Sequence, residues 1–192
     1  MERNIARLLE QARLQLQHGH VDGAMDALRD ILSNDPDLAE AHAYLALCLL
    51  RKRRGHAAAQ EARMALALEP ESALALYALA LSQFAQRQFR EAESHILRLL
   101  DLDPNDPRYH LLLADLYNTT AQRKKVLPLL QKALTLAPED PDTLSKLSDY
   151  YLAVNDLGRA EHHAREALQM DPEHADALVS MGVADPKRLG IM

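Results

Sequence analysis

Apolar residues recur at helical spacing along the chain, and one stretch departs from the usual pattern because it is apolar on nearly every side. Residues 72–85 read SALALYALALSQFA and carry no charge. A surface helix of a soluble protein normally has one apolar stripe and one polar face. This stretch therefore predicts a helix that is either covered by neighbouring elements or presents apolar side chains to a partner. The N-terminal residues 1–17 show the more usual alternation of charged and apolar residues at helical spacing.

Regularly spaced prolines divide the chain into equal segments. The five that are each 34 residues apart are Pro36, Pro70, Pro104, Pro138 and Pro172. A fixed period of about 20–50 residues indicates a solenoid or repeat array. The resulting frames are 5–38, 39–72, 73–106, 107–140 and 141–174, with a partial sixth frame at 175–183. Each full frame is predicted to hold a helix A, a short turn and a helix B, with a proline-marked turn to the next frame.

Small residues recur at two positions of these frames, where they let helix backbones approach closely. Position 8 is Ala12, Ala46, Ala80, Ala114 and Ser148, and position 20 is Ala24, Ala58, Ala92, Val126 and Ala160. Together with the period and the terminal proline, this pattern resembles the tetratricopeptide repeat family over about residues 5–182. The resemblance implies an all-α fold, a right-handed superhelical solenoid of five helix-turn-helix repeats plus a C-terminal capping helix.

The predicted organisation is a single solenoid domain over residues 1–183, followed by a tail at 184–192. One proline does not fit the periodic set. Pro128 falls within the first two turns of helix B in the fourth frame, where it removes a backbone hydrogen bond if the helix has already begun. We therefore expect a late start or a bend in that helix.

The resemblance also implies where a partner binds, because positions 2, 5, 6, 9, 12 and 13 of helix A line the concave surface in this family. In this sequence those positions are apolar in frames 2 and 3 and polar or charged in frames 4 and 5. A contiguous apolar patch with a polar rim usually marks an interaction site. The predicted groove residues are Arg13, Tyr44, Leu47, Arg51, Tyr77, Leu81, Phe84, Asp115, Asn118, Lys146 and Asp149. The alternative, packing against adjacent A helices, stays open above all for Leu50 and Phe84.

Composition and charge exclude several other classes. The net charge of −6 disfavours a general binder of nucleic acid or anionic membranes. No run of about 18 apolar residues and no secretory pattern occurs, so we predict a cytoplasmic protein without direct membrane insertion. The single cysteine, Cys48, lies within LALCLL and is predicted to be a small buried hydrophobe.

No cluster of reactive residues indicates catalysis or a metal. The nine histidines show no metal-ligand spacing, and the adjacent His162 and His163 should point in different directions on a helix. We expect surface histidines, no metal and no cofactor. Two basic clusters, at 51–54 and 123–125, are expected at the turns between helices A and B. Without a phosphate loop or a nucleophile motif, an enzyme is not predicted.

Three functions follow as hypotheses. The first is a non-catalytic adaptor that binds a peptide or helix of a partner protein in its groove. The second, motivated by the abrupt end of the pattern after Val183, is a regulatory or scaffolding segment of a larger enzyme or membrane-anchored assembly factor. The third is a self-assembling, homo-oligomeric scaffold, since repeat arrays with weak caps can stack.

Overall fold

The computed structural model describes residues 2–184, and the regular secondary structure of this part of the chain is helical. Eleven helices are described: α1 (Glu2–Gln17), α2 (Val21–Asn34), α3 (Ala39–Arg51), α4 (Gly55–Leu68), α5 (Ala73–Ala85), α6 (Phe89–Leu102), α7 (Pro107–Thr119), α8 (Arg123–Leu136), α9 (Pro141–Ala153), α10 (Leu157–Met170) and α11 (Ala175–Ala184). The odd-numbered helices are the predicted A helices and the even-numbered ones the predicted B helices. Each B helix starts 34 residues after the previous one, so the period read from the prolines is confirmed.

The expected late start of the fourth B helix is wrong. Helix α8 begins at Arg123, in step with the other B helices, and contains Pro128 in its interior. The amide that Pro128 lacks would have bonded to the carbonyl of Lys124. Both residues are exposed, so water can hydrate the carbonyl that the proline leaves free.

The helices fall into two compact units, Met1–Leu102 and Asp103–Met192. Within the first unit each A helix packs on its own B helix, and α5 also packs on α3 and α4. Within the second unit α7 packs on α8, α9 on α10, and α11 on both α9 and α10. Ala184 ends α11, and the rest of the predicted tail lies outside the described residues.

Small side chains form the contact points between helices, as the repeat pattern predicts. The residues at positions 8 and 20 are all buried: Ala12, Ala24, Ala46, Ala58, Ala80, Ala92, Ala114, Val126, Ser148 and Ala160. In the first unit they pack with larger aliphatic side chains such as Leu28 and Ile31. These residues therefore fix how closely neighbouring helices approach.

The turn from helix A to helix B has the same backbone conformation in all five repeats. After α3, the amide of Arg53 donates to the carbonyl of Leu50 and the amide of Arg54 to that of Leu49, both at 2.9 Å. This paired arrangement is the Schellman motif, which needs one residue with a left-handed backbone. The residues with positive φ are Gly19, Arg53, Arg87, Ala121 and Asn155, each 34 residues after the last.

Candidate partner-binding surfaces

Helices α3 and α5 of the first unit pack side by side and carry the apolar part of the predicted groove. We call Tyr44, Leu47, Tyr77, Leu81 and Phe84 the α3–α5 apolar surface. All five side chains are half-buried, so each keeps a portion accessible to solvent. Tyr44 and Leu47 rest on the aliphatic core formed by α1 to α4, which holds them in place.

Not every residue of the predicted groove stripe is accessible. The stripe positions that are buried instead are Leu9, Leu16, Ala43, Ala78, Leu112 and Ser145. Ala43 illustrates the reason, because it packs with Ala65 and Ala75 against the following repeat. A stripe averaged over frames therefore assigned some A-helix contacts to the groove.

Helix α5 explains the uncharged stretch at 72–85. Ala75, Leu76 and Leu79 are buried against neighbours, whereas Tyr77 and Leu81 keep partial exposure. The buried Ser82 hydroxyl donates to the carbonyl of Ala78 at 2.7 Å, which satisfies its polar group within the helix. A helix with covered faces and an accessible apolar face needs apolar residues on nearly every side, as the sequence shows.

Polar groups on α1 and α3 border the α3–α5 apolar surface. Arg13 Nε donates to a carboxylate oxygen of Glu10 at 2.7 Å, and both side chains interact electrostatically with Tyr44. Partial burial, and then the Glu40 carboxylate, raise the pKa of Tyr44. Its hydroxyl is therefore a hydrogen-bond donor at neutral pH. Arg51 is exposed at the end of α3.

Phe84 and Leu50 each have contacts inside the protein. The Phe84 ring meets Phe89 edge-on, with centroids 5.8 Å apart. Leu50 packs on the core and lines a cavity of about 480 Å³ beside Gly55 and Gln86. Sequence reasoning missed this cavity. The signal was Gly55, where an added Cβ would lie 3.6 Å from Gln86 Cγ and so would fill part of the space.

The second unit brings the polar groove residues together. Lys146 Nζ on α9 donates to both carboxylate oxygens of Asp115 on α7, at 2.7 and 2.8 Å. Ser180 on α11 donates to Asp149 Oδ1 at 2.6 Å. Together with the exposed Asn118, the predicted residues line a small cavity of about 70 Å³. A partner at this surface meets charges that already have partners in the protein.

The prediction of surface histidines is wrong for two residues. His42 and His110 are buried at the same repeat position, and the Nε2 of each donates to a proline carbonyl, that of Pro36 or Pro104. The expected divergence of His162 and His163 is also wrong, because both approach Glu166.

The two basic clusters lie at different kinds of position. The residues at 51–54 surround the turn after α3, whereas those at 123–125 begin α8 rather than forming a turn. In the first cluster, Lys52 Nζ donates to a carboxylate oxygen of Asp22 at 2.7 Å.

Two further expectations concern burial and membranes. The burial predicted for Cys48 is confirmed. Within residues 2–184, no helix is both long and apolar enough to cross a membrane.

Paired helices of constant length, close contacts at small residues and identical turns define an all-α helical-repeat solenoid. Two tetratricopeptide repeat models match the sequence, one over residues 49–116 and the other over 9–73 and 145–184. The chain belongs to the tetratricopeptide repeat family. Repeats of this family indicate a protein–protein interaction scaffold, and its members are typically non-catalytic.

Solved structures support the same fold. A thermophilic TPR protein of Thermus thermophilus, TTC0263, is 22% identical with a TM-score of 0.84, covering 94% of this chain and 98% of its own. Pseudomonas aeruginosa pilF is 21% identical with a TM-score of 0.79, covering 99% and 88%. YrrB, described as a TPR protein with an unusual peptide-binding site, is 17% identical with a TM-score of 0.62, covering 90% and 89%. A comparison with curated proteins gives no match.

Proposed function

We propose that this protein is a non-catalytic cytoplasmic adaptor that binds a peptide or helix of a partner through the α3–α5 apolar surface. The observation that carries the proposal is the partial exposure of Tyr44, Leu47, Tyr77 and Leu81 on two adjacent A helices. Apolar side chains that stay accessible on a rigid scaffold lose their contact with water when a partner covers them, which favours binding.

An amphipathic helix suits this surface because it can lay one apolar stripe on several side chains at once. Tyrosine adds rigid contact area together with a hydroxyl that can reach a polar group of the partner. Arg13 lies close enough to Tyr44 for electrostatic interaction and would orient a partner with an acidic group at that end. YrrB is described as having a peptide-binding site, which supports a peptide as the ligand here.

A peptide selection tests the proposal. Peptides are selected by phage display on the wild-type chain, and their affinities are then measured for Leu81→Asp and for Leu97→Asp. Leu97 is 45% exposed on the B helix α6 and serves as the matched control. We expect Leu81→Asp to abolish binding with unchanged helicity, and Leu97→Asp to bind as the wild type does.

Two results would contradict the assignment. Unfolding of Leu81→Asp, seen as lost helical circular dichroism, would mean that Leu81 belongs to the core. Selected peptides that bind equally well to Leu81→Asp would mean that recognition occurs elsewhere on the protein.

Self-association is a second candidate, favoured by helix α11. This helix was expected to cap the array with a polar face, yet Leu178, Val179 and Val183 are 38%, 67% and 58% exposed. A second copy of the chain would cover this apolar face. Light scattering coupled to size exclusion over a dilution series should then show a dimer that Val179→Glu converts to a monomer, whereas a monomer at all concentrations excludes this candidate.

A further inference from the structure

Three side chains of α10, in the second unit, bring nitrogen and oxygen donors together. His162 Nε2 lies 3.4 Å from Glu166 Oε2, and His163 Nδ1 lies 3.0 Å from the same oxygen. The three donor atoms all lie within 4.8 Å of one another. Glu166 follows the histidines by four and three residues, which are the spacings that place helical side chains next to each other.

The adjacent histidines converge because they use different ring nitrogens. His162 reaches Glu166 with its distant Nε2, whereas His163 uses Nδ1, which is close to its own backbone. The His163 ring is stacked on Tyr151 with centroids 5.6 Å apart and an angle of 14° between the planes. This stacking fixes the half-buried His163, while His162 remains exposed to solvent.

We propose that His162, His163 and Glu166 form a binding site for a divalent transition-metal cation, with Zn²⁺ as the preferred ion. Two imidazoles and one carboxylate are a common ligand set for Zn²⁺, whereas Mg²⁺ and Ca²⁺ prefer oxygen ligands alone. Metal–ligand distances of about 2.0–2.1 Å in a tetrahedral site place donor atoms about 3.3 Å apart. The two separations at Glu166 Oε2 bracket that value.

The charges around the three donors favour a cation. Glu166 supplies a negative charge, and the two arginines of this helix already have acidic partners. Arg165 pairs with Glu161, and Arg159 lies 3.4 Å from the carboxylate of Asp156.

Three protein donors leave a fourth tetrahedral position for water or for a ligand from another molecule. The side chain of His162 is 63% exposed, so this position is open to solvent. Protons compete with the metal for the imidazole nitrogens, so binding should weaken below about pH 6.5.

Zinc titration of the full chain, prepared without a polyhistidine tag, tests the site. We expect one Zn²⁺ per chain in competition with a chromogenic chelator, and a visible absorption spectrum when Co²⁺ replaces Zn²⁺. His162→Ala and Glu166→Gln should each weaken Zn²⁺ binding at least tenfold. His163→Phe should do the same while keeping an aromatic ring on Tyr151.

His56→Ala is the matched control, because His56 is exposed and lies in the first unit, on a different helix from the three donors. It should bind Zn²⁺ with wild-type affinity. Zn²⁺ should also raise the unfolding temperature of the wild type, since a ligand that binds only the folded state stabilises it. The proposal is overturned if the α10 variants bind Zn²⁺ as the wild type does, or if 1 mM Zn²⁺ leaves both the chelator and the unfolding temperature unaffected.

Discussion

The Nδ1 of His42 donates to a carboxylate oxygen of Glu61 at 2.7 Å, from one helix of the second repeat to the other. The equivalent pair two repeats later is His110 and Leu129, and there Nδ1 is buried without a hydrogen-bond partner among the described residues. The same buried histidine is thus fully bonded in one repeat and half bonded in another. The difference lies on the B helix, where leucine takes the place of glutamate.

Replacing each histidine with leucine should therefore have different consequences. Leucine occupies the same position in other repeats, for example at Leu76 and Leu144. We expect His42→Leu to lower the free energy of unfolding by about 1–3 kcal/mol, because it leaves Glu61 without its partner. His110→Leu should change it by less than about 1 kcal/mol, because it also removes an unpaired buried nitrogen. Urea unfolding monitored by circular dichroism measures both values, and equal losses would contradict the assigned difference.

A carboxylate introduced at position 129 should interact with His110. Leu129→Glu alone loses apolar packing and gains a hydrogen bond to Nδ1, so its cost should be smaller when His110 is present. The double variant with His110→Leu completes a mutant cycle, in which we expect a coupling energy of about 1 kcal/mol. Additive effects in urea unfolding would show that the two side chains do not meet.

The left-handed turn residues predict a stabilising substitution. Ala121 has φ of 59°, a conformation that costs a residue with a Cβ about 1–2 kcal/mol and costs glycine little. We expect Ala121→Gly to raise the free energy of unfolding by about 1 kcal/mol. Ala6→Gly, at an exposed position inside α1, is the control and should lower it by about as much. A loss of stability in both variants would mean that the turn at 121 does not require positive φ.

Cys48 should resist thiol reagents in the folded protein. The side chain is fully buried, and burial raises the pKa of the thiol to about 11. Because the thiolate is the reactive form, a disulfide reagent at pH 8 should label the unfolded chain fully and the native chain at least about 100-fold more slowly. Rapid stoichiometric labelling of the native protein would show that α3 opens readily.

Asp106 should make stability depend on acid pH. It begins α7 and accepts hydrogen bonds from the amide and the guanidinium of Arg108. Partial burial alone would raise the pKa of this carboxyl, but the hydrogen bonds from Arg108 outweigh it and lower the pKa. A lowered pKa in the folded state gives stability above the unfolded pKa of about 3.9, which is lost as the pH falls through the folded value.

Asp106→Asn keeps a capping side chain and removes this charge. The variant should be less stable than the wild type at pH 7 by up to about 1 kcal/mol, since Arg108 is largely exposed. The difference should shrink towards zero by about pH 2, where the wild-type carboxyl is protonated. Urea unfolding at both pH values checks this, and a constant difference would assign the effect to capping geometry.

The repeat architecture could be predicted from the sequence because it depends on local signals. Five equally spaced prolines and the small residues at two positions fixed the helix pairs, and the structure confirms them to within one or two residues. Pro128 misled because one lost hydrogen bond in an exposed turn is too weak to shift a helix start. The side chains that decide the site depend on packing between repeats. Ala43 is covered by the next repeat, and Glu61 meets a histidine 19 residues earlier, which no pattern along one helix reveals.

The turns between A and B helices show that the fold requires a backbone angle there rather than a particular side chain. Glycine, arginine, alanine and asparagine all serve at this position, and the non-glycine residues among them are exposed. The charge along this edge is therefore independent of the architecture that supports it. Selection, or an engineer, could change that edge from basic to neutral one residue at a time while every helix keeps its place.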